Sequence, residues 1–414
     1  MIEEVEYKGS WRLPNSDNWI NGTLKFSPET GCFLELFGTF GNNTLFEPPY
    51  QEIILGKTTG GDITLVEVWY RSSKHIYNQI KLGYYRPMKV FIGKHFNSKT
   101  EIKFREVSFQ LFNLWDWFNI SGINFDYNDQ SKDYSIVYTK PKTVEFLYHN
   151  DCVGNMTFFS PIEFKDSIHR IEIEEGCHVS LKNRNQTPYE DLLKDIMVFQ
   201  GFVTLSTFEQ SYPMNITFRD ENCFHEDDKE KKPIYIRCLY QNNFYSKNHK
   251  VRLPSESLIG INSIKDDFPT IIFEWNKKFH DIEPTFLLLL DYFINKNHFD
   301  SEKFLNIVKG LETFHRLKIT KKKHLKERLK DLIEIYNNKY IETKIIDVDT
   351  FCKDVVELRN DFTHPNLNFI VSSMKVELVY QLTQKLTGLL ISCVLKEVGI
   401  NISFFENGLI SRLN

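Results

Sequence analysis

No apolar run in the chain is longer than the five residues Phe286-Leu287-Leu288-Leu289-Leu290, which stop at Asp291. A membrane-spanning helix needs about 20 such residues, so no transmembrane segment and no membrane partner are expected. The start, Met1-Ile2-Glu3-Glu4-Val5-Glu6, is acidic and lacks an apolar stretch, so it does not read as a signal peptide. Cysteine is sparse: seven residues, an odd number, with no Cys-x-x-Cys pair. That argues against a disulfide framework and for free thiols in a reducing cytoplasm. Cys152, Cys177-His178, Cys223-Phe224-His225 and Cys238 lack the close pairing of strong zinc sites, so neither metal nor cofactor is expected. The Gly-rich phosphate loop, the Gly-x-Ser-x-Gly elbow and the dinucleotide fingerprint are also missing, which removes the common nucleotide-hydrolysing, esterase and dehydrogenase classes. A net charge of −4 gives no global attraction for nucleic acid, so any such surface must be local.

What remains is an ordinary globular composition, 41% hydrophobic and 26% charged, with 35 Phe and 19 Tyr that predict aromatic-rich cores. At 414 residues there is room for two or three domains. From residue 1 to about 250 the pattern is strands and turns. Gly22–Phe26 and Cys32–Phe37 flank Ser27-Pro28-Glu29-Thr30-Gly31 as a hairpin, and Ile63–Tyr70 follows the Gly60-Gly61-Asp62 turn. Further strands are expected at Lys89–Ile92, Glu106–Phe112, Val144–Tyr148, Ile171–Ile173 and Ile234–Tyr240. One amphipathic helix, Pro188 to about Thr204, interrupts them, with Tyr189, Leu192, Leu193, Ile196, Val198 and Phe199 as its apolar side. Such spacing predicts a β-rich, sandwich-like region of one or two subdomains.

A polar, turn-rich boundary falls between Asn242 and Pro269, and the hydrophobic period then changes from two to 3.6. Helices are expected at 284–297, 301–317, 321–340, 350–363 and 374–398. Ser301 and Thr320 read as N-caps and Gly399 as a stop. Met374, Leu378, Leu382, Leu386, Leu389, Cys393 and Val398 form a stripe on the last helix. The fold class is therefore α+β multidomain, a β-rich N-terminal region (1–250), a linker (251–268) and a helical bundle (269–414).

Within that bundle, Val356-Glu357-Leu358-Arg359-Asn360-Asp361-Phe362-Thr363-His364-Pro365-Asn366 carries the chemistry. Phe351, Val355, Leu358 and Phe362 repeat at four, three and four, one buried helical stripe. The helix must stop before Pro365, which leaves His364 at its end. Asn360 and His364 lie four apart on one face, and Arg359 can swing to the same edge. An imidazole that titrates near neutrality, beside a permanent guanidinium cation, suits acid–base work on a phosphodiester. The bland alternative is a helix-end histidine favoured by the macrodipole. A second Arg…His pair, Arg219 and His225, lies in a strand and charged-loop context and is set aside. Lys318–Lys330 holds seven cations and one acid, with Lys321, Lys322, Lys323, Lys326 and Arg328 as a candidate phosphate footprint or simply a solvated face. Glu312 and Arg316 are spaced for a helix ion pair, or for a supporting role near the site.

Arg359-Asn360-x-x-x-His364 resembles the Arg-polar-x-x-x-His signature of the HEPN ribonucleases. The helix Phe304–Arg316 and the apolar helix ending at Val398-Gly399-Ile400 are similar to those of the ApeA-like branch, the HEPN proteins of bacterial anti-phage defence. The resemblance covers residues 265–414, and residues 1–250 look like that branch's β-rich N-terminal region. It implies metal-independent endoribonuclease activity on cellular RNA such as tRNA, leaving a 2′,3′-cyclic phosphate. His364 would be general acid or base, Arg359 the charge stabiliser and Asn360 an orienting group. It also implies a homodimer with a composite site, an abortive defence role, and an N-terminal region that senses a phage protein. The rivals are a non-catalytic HEPN module that binds RNA or nucleotide or only dimerises, and a β-sandwich carbohydrate- or protein-binding protein with a structural helical tail.

Overall fold

A computed structural model of the chain describes residues 4–41, 48–76, 80–165, 170–224, 233–242, 245, 254–294, 301–364 and 373–413. Its contacts divide it into a β-rich unit, residues 1–115, 120–197 and 211–249, and a helical unit, residues 116–119, 198–210 and 250–414. The expected cut near 250 is thus incomplete: two short earlier stretches also belong to the helical unit. Nor is 251–268 a plain linker, because Pro254–Glu256 and Ile261–Ile264 are short helices.

Six strands open the β-rich unit: β1 (Val5–Arg12), β2 (Ile20–Ser27), β3 (Gly31–Leu36), β4 (Tyr50–Thr58), β5 (Gly61–Ile76) and β6 (Ile80–Ile92). Antiparallel pairing runs β6-β3-β2-β1-β4-β5 and returns from β5 to β6, so the strands close into a barrel. Closure removes free edges, which an open sheet would expose. Inward positions alternate along β2, where Ile20, Leu24 and Phe26 join Trp11, Leu34, Leu36, Leu65 and Tyr85 in the barrel core. The expected β2–β3 hairpin is present, Ser27 opposite Gly31, and Gly31 sits at φ 81°, where a side chain would be strained.

Next come β7 (Lys103–Leu111), α1 (Leu114–Phe118), β8 (Ile123–Asn128), β9 (Asp133–Tyr138), β10 (Val144–His149), β11 (Cys152–Phe159), β12 (Ile162–Lys165), β13 (Arg170–Ile173), β14 (Gly176–Pro188), α2 (Tyr189–Thr207), β15 (Pro213–Phe224) and β16 (Pro233–Tyr240). The sheet continues from β6 through β16, β15, β7, β14, β11 and β10, while β8–β9 and β12–β13 are separate hairpins. The expected sandwich-like arrangement therefore takes the form of a six-stranded barrel extended by six more strands. The predicted aromatic core is present: Phe104 stacks on Phe218 at 4.6 Å, and Phe91 meets Tyr189 of α2 edge-on at 5.1 Å.

The helical unit holds α3 (Ile261–Ile264), α4 (Phe268–Ile294), α5 (Ser301–Lys318), α6 (Leu325–Ile335), α7 (Lys339–Lys344), α8 (Val348–Thr363), α9 (Ser373–Glu397) and α10 (Glu406–Arg412). The sequence places a helix start at Pro284, but α4 begins at Phe268 and runs through that proline. The expected helix 321–340 is two helices. Glu327 accepts from the His324 backbone N–H to start α6, and Asn338 accepts from Ile341 N–H to start α7. α9 packs against α4, α5, α6, α7 and α8. By length and composition Val376–Glu397 could cross a membrane, yet most of it is buried among the other helices. Burial all round, Leu386 through Leu395, marks it as the centre of the bundle. Gly399, at φ 88°, ends the run as expected, its N–H donating to Lys396 O.

Candidate active site

The helix that carries the motif, α8, is fixed at its start. Asp347 accepts from the Thr350 backbone N–H at 3.0 Å and from the Thr350 hydroxyl at 2.7 Å. That backbone bond holds the Asp347 carboxyl below its usual range. Phe351, Cys352, Val355 and Leu358 are buried and seat one face on α5, α6 and α9. Phe362, expected in the same stripe, is only half-buried, its ring 5.9 Å from Phe304 of α5. The last turn of a helix covers less of its neighbours than the middle does.

The other edge of that turn presents the motif. Arg359 is half-buried and its Nη1 donates to Asn360 Oδ1 at 3.2 Å. His364 has left helical geometry, φ −134°, while its backbone N–H still donates to Asn360 O at 2.8 Å. The Thr363 hydroxyl closes the turn on Arg359 O at 2.9 Å. So the structure joins Arg359 to Asn360 and puts His364 one turn further on, exposed at the helix end. A cation with donors to spare, an amide and an exposed imidazole on one helix end can hold a phosphate and move a proton. Pro365 and Asn366 lie outside the described residues, as does His225 of the discarded pair.

The basic segment is not a plain solvated face. Lys321 and Lys322 are exposed in the α5–α6 turn. Lys323 Nζ instead pairs with Asp331 at 2.7 Å, and Lys326 and Lys330 reach Asp349 at the start of α8 at 3.7 and 2.6 Å. Arg328 corrects the footprint. It is 5% exposed, and its Nε, Nη2 and Nη1 donate to the carbonyls of Lys323, Lys321 and Glu312 at 2.7, 2.9 and 3.3 Å. A guanidinium spent on three backbone oxygens holds the turn and has no face left for phosphate. Glu312 takes part through its carbonyl only. The ion pair expected between Glu312 and Arg316 is not formed among the described residues, where Arg316 is exposed.

A further group, beside Glu312 and Arg316, reads in the sequence as a structural or surface histidine. His315 is fully buried, with Nε2 2.8 Å from Asp331 Oδ2 and Nδ1 3.3 Å from Thr320 O. Lys323 first, and then His315, hold the Asp331 carboxyl below the usual carboxylate range. His315 and Asp331 are 16 apart on two helices, a separation with no periodic signature. Together with Arg328 they fix the backbone of the lysine-rich turn. In the β-rich unit, Cys152 and Cys238 are buried, and burial pushes both thiols up.

Residues 293–403 match the family model Apea-like HEPN, and residues 6–275 match ApeA N-terminal domain 1. The chain belongs to the ApeA-like HEPN family. Every candidate site residue, from Glu312 to His364, lies within the HEPN match of this ApeA-like defence protein. The HEPN domain carries the nuclease- and RNA-related role of the family. The N-terminal match runs past residue 250 into α4, consistent with a boundary less sharp than the sequence pattern. Neither the curated proteins nor the solved structures give a match to the chain.

Proposed function

We propose that this ApeA-like HEPN protein is a metal-independent endoribonuclease whose site is the C-terminal end of α8. The observation that carries the reading is the Arg359–Asn360 contact beside an exposed His364 at the end of that helix. The ribose 2′-hydroxyl, present only in RNA, attacks the adjacent phosphorus. His364 removes or returns a proton, and Arg359 neutralises the charge that grows on the phosphoryl oxygens. Asn360 holds the guanidinium through its Oδ1 and keeps its amide N–H for phosphate. The P–O5′ bond breaks, leaving a 2′,3′-cyclic phosphate and a 5′-hydroxyl. Two proton transfers and one such histidine per chain favour an isologous dimer with two motifs at one phosphate. Lys321 and Lys322 supply the backbone contacts, with a structured RNA such as tRNA as substrate, a phage protein as trigger at the N-terminal region, and abortive defence as the biological role.

The test is incubation of the purified protein with total RNA in EDTA, followed by sequencing of RNA ends. Wild type should cut, and His364→Ala should lose about 10²–10⁴-fold in rate, the usual weight of a general acid–base group. Because His364 is exposed, thermal unfolding should be unchanged. Equal cleavage by the two proteins would remove His364 from the site, and cleavage by neither would leave an RNA- or nucleotide-binding module.

A further inference from the structure

The hairpin β8–β9 is unlike the rest of the β-rich unit. Its register pairs Ile123 with Tyr138, Phe125 with Ile136 and Tyr127 with Tyr134, so all six side chains lie on one face. The opposite face carries Asn124, Asp126, Asn128, Asp133, Ser135 and Val137. A sheet face this apolar is normally covered. Here Phe125 is 63% exposed, Tyr134 69% and Ile136 60%. Among the described residues the two strands pair with no third strand.

The hairpin is nevertheless a formed element. At its base, Glu175 accepts from the Gly122 N–H at 2.7 Å and from the Ser121 hydroxyl at 2.6 Å. At its tip, Asn128 Oδ1 accepts from the Gln130 and Ser131 N–H groups at 3.0 and 3.2 Å. Tyr134 lies 5.6 Å from Phe125 and 4.7 Å from Tyr127, an aromatic ladder along the exposed face. A lone two-stranded ribbon is marginal in water, so a third strand would add backbone pairing and lateral side-chain contacts with Tyr134 and Ile136.

The identity of that strand follows from area and charge. Two six-residue strands present a face of roughly 20 by 10 Å, about 200 Å². A stable protein dimer buries about 800 Å² on each side, so a second copy stacked on this face would not hold. A single extended segment needs far less, because edge amides supply the affinity. The ribbon carries Asp126, Asp129 and Asp133 against Lys132 alone, which makes its polar side acidic. A strand laid beside β9 with apolar residues next to Tyr134 and Ile136 must turn its alternate residues toward Asp133 and, across β9, Asp126. Opposite charges facing across strands are favourable and like charges are not. We infer that the β8–β9 ribbon is a docking edge for an extended segment of a foreign polypeptide that alternates apolar and basic residues. The inference is independent of the nuclease reading.

The probe is a fluorescein-labelled (Val-Lys)4 peptide, titrated with the full-length protein and read by fluorescence anisotropy. It should bind at least about tenfold more tightly than (Val-Glu)4, a difference of about 1.4 kcal/mol. Asp126→Lys/Asp133→Lys should reverse that order, and Phe125→Ser/Tyr134→Ser should cost at least about tenfold for (Val-Lys)4 with unchanged circular dichroism. A fully N-methylated (Val-Lys)4, which has no amide N–H to donate, should not bind. Equal binding of the two peptides, binding by neither, or binding by the N-methylated form would overturn the proposal. So would a dimer by light scattering that Phe125→Ser/Tyr134→Ser converts to monomer, since the occupant would then be a second copy.

Discussion

Replacing Arg328 with Met separates the two roles that its place in a lysine-rich segment allows. Met keeps most of the buried stem and removes the three donors to Lys323, Lys321 and Glu312 carbonyls. A hydrogen bond from a charged donor contributes about 1.5–3 kcal/mol, and relief of burying a cation offsets part of the sum. Counting the two short bonds fully and the 3.3 Å bond little, the turn should lose about 2–4 kcal/mol of local stability. Two compact units do not unfold as one two-state transition, so the readout is amide hydrogen exchange across 318–325. The Ile319 and Thr320 amides, which donate to His315 O, should exchange about 30- to 1,000-fold faster at tenfold per 1.4 kcal/mol. RNA affinity should fall only as far as the loosened turn requires. Unchanged exchange with lost RNA binding would show that the guanidinium contacts phosphate and would refute this account.

Phe362→Ala should cost about 1–2 kcal/mol, below the roughly 3–5 of a fully buried Phe, because its ring is only half-buried. A thermal shift as large as that of Leu358→Ala, a fully packed neighbour, would contradict this. Lys321→Glu/Lys322→Glu should weaken RNA binding and reduce the salt slope by about 1.5 units, with little change in stability. An unchanged slope in a salt titration would return the turn to a solvated surface. The Asp331 carboxyl is held below its unfolded value, so its contribution is present above about pH 4 and is lost as pH falls through the folded value. Asp331→Asn should therefore melt below wild type at pH 7, with the gap narrowing as the pH falls below about 4, and a gap that does not narrow in acid would count against the pairing.

Much of the helical half was legible because its signals are local. Residues Phe351, Val355 and Leu358 mark a buried stripe by spacing alone, Gly399 stops α9 by its backbone freedom, and the proline after His364 ends the motif helix. The motif was legible for the same reason, since Arg359, Asn360 and His364 share one turn of chain. Strands were read where period two or a turn was strong, as in the β2–β3 hairpin. β1, β4, β8, β9, β11, β12 and β14 were not read, and barrel closure depends on the pairing of β5 with β6, which no local pattern encodes. Charge was the least legible property. Sequence counted Arg328 with its lysine neighbours, and only packing made it a buried clamp on three carbonyls. It left His315 open between a structural and a surface role, and only folding brings it against Asp331 on the next helix. A side chain's hydrogen-bonding capacity is written in its identity, but its partner is set by whichever backbone or carboxylate the tertiary fold carries within about 3 Å of it.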